Sequence, residues 1–290
     1  MNYRVAEYSE YKELRGKDDW DSGILKVHLS SWNDFHDVTA RLLDLGDFIW
    51  RGQKIDWPLI SRFDRLVKSD RKAKLRNHRE AFVRSIQGRR GNNPPKLDKP
   101  KEIWSLGQHH GLATPLLDWT ESPFVAAYFA FEKKSVNILT NATIAGRIIN
   151  GENKETVLKD APKRFIYGLS EDIVRWGPSR SKGVKPYDHF IKFVRPDSDE
   201  NPRLLSQRGL YTEPLSSDIE IDKIVGLCYA EDEKKGFSRI IFVKIDIPEV
   251  ERENCLRNLN RMNINHTTLF PDLTGAAEYC NLKLEIKNYS

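Results

Sequence analysis

No Cys-x-x-Cys pair occurs in this chain of 290 residues, and its three cysteines, Cys228, Cys255 and Cys280, stand 27 and 25 residues apart. That spacing suggests neither a zinc site nor a disulfide framework. Long apolar runs are missing too. The longest, "FVAAYFAF", has eight residues, far short of the roughly 20 that span a bilayer. The opening "MNYRVAEYSEYKELRGKDDW" is charged from its fourth residue and has no apolar core of a secretory leader. A reduced cytosol and no membrane contact are the expectations. Internal repeats, low-complexity tracts and a Gly-x-Ser-x-Gly elbow are also absent, and the last of these disfavours a serine hydrolase.

What is present is a globular mixture, 39% hydrophobic and 31% charged, enough to bury one large core or two modest ones. The net charge of +5 is unevenly spread. Residues 62–90 hold eleven Lys/Arg against three Asp/Glu, so the remainder sits near −3. Such a patch attracts nucleic acid or nucleotide phosphates. The plainer reading is a solvated helix face, with Leu66, Val67, Phe82, Val83 and Ile86 as its buried side. The segment lacks interleaved aromatics that would stack on bases.

Along the chain, residues 1–27 read as a lead-in. "SSWNDFHDVTARLLDLG" reads as a helix capped by Ser30 or Ser31, with Trp32, Phe35, Val38 or Thr39, Leu42 and Leu45 on one face, and Gly46 as its stop. "DFIWRGQ" reads as a strand, with Phe48 and Trp50 on one face and Ile49 and Arg51 on the other. Gly52 allows a close backbone approach. The basic segment predicts a helix to about Gln87, and "GRRGNNPPKLDKP" a loop. "ATIAGRII", "RFIYGL", "KIVGLCY" and "RIIFVKIDI" read as strands. Helices follow after Pro248 and Pro271. One α+β domain is expected, helical first and strand-rich second.

The densest stretch is "QHHGLATPLLDWTESPFVAAYFAF", residues 108–131. Its Ser122 and Pro123 read as N-cap and N1 of a helix with Phe124, Ala127, Tyr128 and Phe131 on one face. "LATPLLDW" reads as a strand entering the turn before it. Residues from Asp118 to Ser122 would then sit at the helix's positive end, where an anion can be held; equally, Asp118 and Thr120 could merely cap the turn. At most one of the adjacent His109 and His110 would face a site from a strand.

"FIWRGQ" followed by this stretch resembles the FRG domain family, named for a Phe-Arg-Gly motif. The stretch is similar to that family's Gln-His-His-Gly-Leu-Pro-Thr-x-Leu-Leu-Asp-Trp-Thr-x-x-Pro. "NPRLLSQRGLYT" and "TTLFPDLTGAAEY" resemble its later elements. Trp50 and Ala113 stand where the family has Phe and Pro. The resemblance implies one FRG-like domain over residues 28–290. More weakly, the order of parts is similar to the ADP-ribosyltransferase fold with its split sheets. Its sites use an Arg or His on an early strand, a polar strand end running into a helix, and a Glu-bearing strand leading into Gly. Arg51, "DWTES" and "RLLSQRG" fall in that order.

That second resemblance implies NAD as substrate of a cytoplasmic toxin or defence effector acting on a macromolecule. Arg51, flanked by Gly52 and Gln53, would grip the pyrophosphate or the nicotinamide ribose. The His pair, Thr120 and Ser122 would bond ribose and amide groups, and Trp119 or Tyr128 would face nicotinamide. Breaking the glycosidic bond passes through an oxocarbenium-like state that a carboxylate stabilises. Aligned on Gly209, the position of that Glu carries Arg203, with Gln207 between. The catalytic candidates are therefore His110, Asp118 and Glu121, with Glu213 as a further acid. Two alternatives stay open: a non-catalytic nucleotide-sensing module, and a hydrolase or nuclease using His110 and Asp118 as an acid–base pair.

Overall fold

The computed structural model describes residues 24–43, 46–89, 99–134, 146–147, 149–153, 157, 161–171, 191–196, 202–214, 221, 225 and 240–289. Its strands are β1 (Ile24–His28), β2 (Phe48–Gln53), β3 (Leu117–Thr120), β4 (Lys163–Ser170), β5 (Ile191–Val194), β6 (Gly209–Pro214) and β7 (Phe242–Pro248). They form one seven-stranded sheet in the order β1-β7-β4-β2-β3-β6-β5, parallel between β1 and β7 and antiparallel elsewhere. The helices are α1 (Phe35–Leu43), α2 (Arg62–Leu66), α3 (Arg71–Ser85), α4 (Pro100–His109), α5 (Pro123–Phe131), α6 (Pro202–Ser206), α7 (Arg252–Arg261), α8 (His266–Leu269) and α9 (Leu273–Glu285). The fold is α+β. Among the described residues, no helix is long and apolar enough to cross a membrane.

The core centres on α5. Seven of its nine residues are buried, so the helix is apolar all round and lies inside the molecule rather than on it. It packs with α1, α7, α8 and α9 on one face of the sheet, against Leu25, Val27, Trp50, Ile166 and Ile245. The other face carries a second cluster that includes Ile49, Leu117, Trp119 and Leu210. The alternation read in β2 thus holds: Phe48 and Trp50 face α5, Ile49 faces away.

Gly52 explains how close α5 comes. A Cβ there would lie 1.8 Å from the Ala126 carbonyl oxygen and 2.7 Å from the Ala130 nitrogen. Beside it, Gly168 of β4 pairs with Trp50 and leaves room for the indole, which a Cβ would meet at 2.9 Å. A buried helix also leaves buried carbonyls at its end, and each needs a donor. Two arginines supply them. Arg164 donates to Ala130 O (3.0 Å) and Lys133 O (2.9 Å), and Arg252 to Phe131 O (2.8 Å) and Glu132 O (2.7 Å). Glu249 and Glu285 balance their charges, at 2.7 and 2.5 Å.

Several expectations change. Residues 24–28 form strand β1 rather than a lead-in, because β7 offers them a parallel edge. Three strands lie in the first half, so the division into a helical first and a strand-rich second part does not hold, whereas the helices expected after Pro248 and Pro271 are present. The basic segment is two helices broken at Val67–Asp70. Leu66 is exposed, and Val67, Phe82, Val83 and Ile86 are only partly covered; α3 buries no residue at all. The His pair ends a helix, α4, which the strand reading missed. "RLLSQRG" is not a strand either: Arg203 lies in α6, and β6 starts only at Gly209. Within "ATIAGRII", residues 146, 147 and 149 are helical, as is Val225 of "KIVGLCY". The rest of those two runs, Leu45 and residues 90–98 lie outside the described residues.

Gly52→Ala is expected to cost about 3 kcal/mol, the upper end for overpacking, in urea denaturation. A wild-type midpoint would contradict the close approach of β2 to α5.

Candidate functional site at a strand fork

β2 and β3 share one bridged pair, Trp50 with Thr120. Beyond it β2 runs on to Arg51 and Gly52 while β3 runs back to Trp119 and Asp118, and the ladder does not continue. The sheet is therefore a four-stranded part and a three-stranded part hinged at one residue pair. A cleft of about 320 Å³ opens in this fork, at the lower end of ligand-pocket sizes.

Arg51 spans the fork. Its Nη1 donates to the Asp118 carbonyl oxygen at 2.7 Å and lies 3.8 Å from the Asp118 carboxylate. Its Nε is buried with no partner. Burial pushes the Arg51 pKa below its usual value, and Asp118 opposes that shift. The guanidinium stays charged because its intrinsic pKa is so high. The indole Nε1 of Trp50, which also lines the cleft, is likewise buried and unpaired. Two buried donors without acceptors at one cleft are unusual in a folded protein.

The opposite wall comes from α5 and from the segment after α8. Phe129 and Phe270 meet edge to face at 6.1 Å. Glu132 lines the same cleft, and its side chain is 17% exposed. Desolvation raises its pKa, against the smaller opposing effect of Lys133. His266 Nε2 lies 3.7 Å from the Glu132 carboxylate, and its Nδ1 meets the Tyr128 hydroxyl. Burial lowers the His266 pKa, so near pH 7 the neutral imidazole adds nothing to the charge compensation that Lys133, Lys54 and Arg252 give the Glu132 carboxylate.

A second cleft, of about 170 Å³, adjoins the first and shares Asp118, Trp119, Gln207 and Phe270 with it. Gln108, His109 and Arg203 also line it. Gln108 donates to the Asp118 carboxylate at 3.0 Å. Arg203 lies over the Phe270 ring and is held by Asp272 at 2.5 Å. Gln207 Nε2 donates to Leu269 O at 3.1 Å, which ties α6 to the Phe270 segment.

The structure thus brings Arg51, Gly52, Asp118, Trp119, Thr120 and Gln207 to one cleft, and His109 and Arg203 to its neighbour. Of the sequence candidates, His110, Glu121, Gln53, Ser122 and Tyr128 line neither cleft. His110 is exposed at the end of α4, edge-on to His109 at 4.8 Å, and lines neither cleft. Glu121 is exposed beside Arg208 (3.4 Å) and Arg195 (3.9 Å). Gln53 is buried and donates to Trp57 O at 2.9 Å. Ser122 caps α5 by accepting from Val125 N at 3.3 Å. Trp119 and Tyr128 are core residues whose polar atoms are engaged, by Thr212 (2.8 Å) and by His266. Thr120 Oγ1 donates to Gln207 O at 2.7 Å.

Glu132, Trp50, Phe129 and Phe270 were not singled out from the sequence as site residues. Phe129 of α5 and Glu132, the residue that caps its carboxyl end, are three apart and so share one side of the helix. Phe270 lies in "TTLFPDLTGAAEY", one of the quoted motifs. Among the described residues, no group of three His, Cys, Asp or Glu could hold a metal ion.

Residues 46–137 match the FRG domain family model. The chain carries an FRG domain. The matched part contains β2, the fork, β3 and α5, whereas Arg203, Gln207 and Phe270 lie beyond it. The FRG motif itself accounts for much of the geometry: Arg51 bridges the fork, and Gly52 admits α5. No curated protein and no solved structure matches the chain.

Because burial raises the Glu132 carboxyl pKa above its unfolded value, the native state holds that proton more tightly. Stability therefore falls as pH rises from the unfolded pKa through the folded one. Glu132→Gln is expected to melt above wild type at neutral pH, with the gain fading toward acid pH. A pH-independent difference in melting temperature would contradict the burial of this carboxylate.

Proposed function

We propose that the fork binds NAD or a closely related nucleotide, and that the chain acts as an ADP-ribosyltransferase-like enzyme on it. The observation that carries this reading is the half-buried Arg51 guanidinium, with a buried, unpartnered Nε, in the first of two adjoining clefts. A guanidinium fork suits a pyrophosphate or a ribose-bound anion. The two clefts offer an elongated, bent path. Phe129 and Phe270 supply the aromatic wall for a planar ring. Gln207 and His109 supply hydrogen-bonding groups along the path. In this reading Glu132 is the carboxylate that stabilises an oxocarbenium-like state, the role for which Arg203 is the wrong charge.

A second reading is a nucleotide-sensing module without transfer chemistry. One observation favours it: the position aligned with a transferase Glu carries Arg203, which Asp272 holds firmly.

Differential scanning fluorimetry with NAD tests the binding step. Wild type is expected to shift upward, Arg51→Ala to lose the shift, and Arg51→Lys to regain part of it. Equal shifts in all three would remove the site. Free nicotinamide separates the readings. Enzymatic turnover releases it and Glu132→Gln lowers that release by roughly a hundredfold or more, as loss of a transition-state electrostatic partner does; binding without release supports the sensing module.

A further inference from the structure

A second site lies away from the fork. Between α3 and α4 runs a groove of about 1070 Å³. On α3 it is walled by Arg71, Lys72, Leu75, Arg76 and Arg79, which recur at helical spacing and so share one side. The start of α4 adds Lys99 and Lys101, and β5 adds Lys192.

We propose that this groove binds the sugar–phosphate backbone of a nucleic acid. Arg71 is already committed, to Asp64 at 2.7 Å. Lys72, Arg76, Arg79, Lys101 and Lys192 form no ion pair with the described residues. Lys72 and Arg76 are four apart and Arg76 and Arg79 three apart, so they repel one another along the helix. A polyanion relieves that repulsion and releases its own counterions. Three carboxylates line the groove against seven Lys/Arg: Glu102 is buried, Glu213 is half-buried and pairs across the sheet with Lys192, and Asp70 is exposed at the start of α3.

The packing of α3 fits the same role. Its fifteen residues include no buried one. It is fastened by Arg71, by Leu75 against the Trp104 cluster, and by His78, which stacks on Trp104 at 6.1 Å and meets Ala113 O at 3.0 Å. Along it Lys72, Lys74, Arg76 and Arg84 stand exposed, and Arg79 is half-buried. Trp104 is only 3% exposed, so it offers no platform for base stacking. Recognition is therefore of phosphates and independent of base sequence. A protein partner would need apolar anchors, and Leu75 is only partly accessible.

The groove and the second cleft share α4. Lys101 lines one and His109 the other, about 12 Å apart along the helix axis. The inference does not depend on what occupies the fork.

Fluorescence anisotropy of the full chain with labelled single-stranded and duplex oligonucleotides tests it. Five engaged cations give a slope of log K against log salt of roughly −3.5 for single strands or −4.5 for duplex. Lys72→Gln/Arg76→Gln/Arg79→Gln is expected to weaken binding roughly tenfold or more and to flatten the slope by about 2 to 3, with an unchanged melting temperature. Lys101→Gln/Lys192→Gln, on the other wall, should flatten it by about 1 to 2. No binding at low salt, an unaltered slope in both variants, or equal competition by polyglutamate of matched charge would overturn the proposal.

Discussion

The buried helix α5 is the constraint on which this molecule turns. An apolar helix inside a protein must satisfy its terminal carbonyls without water, and here two guanidinium groups take the four from Ala130 to Lys133. Arg164 comes from the sheet and Arg252 from α7, each with its own carboxylate. Capping therefore joins α5 to elements far apart in sequence. It also fixes Glu132, whose carbonyl is held by Arg252 while its side chain enters the cleft.

The opening in the sheet belongs to the same arrangement. β2 is drawn against α5 at Gly52, and its ladder to β3 stops after one pair. In place of backbone hydrogen bonds, the Arg51 side chain reaches across to the Asp118 carbonyl. A guanidinium placed so has donors to spare, and the unpartnered Nε is one of them. Packing and site chemistry thus come from three consecutive residues: Trp50 buried beneath α5, Arg51 across the gap, Gly52 under the helix backbone.

Local signals in the sequence anticipated α5, its Ser122 cap, the strand nature of "FIWRGQ" and the need for a close approach at Gly52. They did so because capping, periodicity and glycine chemistry act over a few residues. Strand β1 escaped notice because its partner β7 lies more than two hundred residues away. Helix α4 was overlooked although Pro100 and Glu102 mark its first turn and Gly111, at φ +80°, its end. Taking the His pair for part of a strand hid that pattern. Arg51 at the fork was legible from the motif. Glu132 was not, because only tertiary packing tells an acid at the rim of a cleft from one in solvent. The buried side expected for the basic segment failed for a similar reason: Phe82 and Val83 are only partly covered, and the helix is fastened through Leu75 and His78.

The central claim is that Arg51 holds the anionic part of a nucleotide in the fork. A crystal structure of the chain with ADP-ribose tests it most directly. The account predicts a ligand oxygen within hydrogen-bond distance of Arg51 Nε, with the ligand running from the first cleft past Gln207 into the second. Ligand bound elsewhere on the molecule, with Arg51 Nε still unpaired, would contradict it.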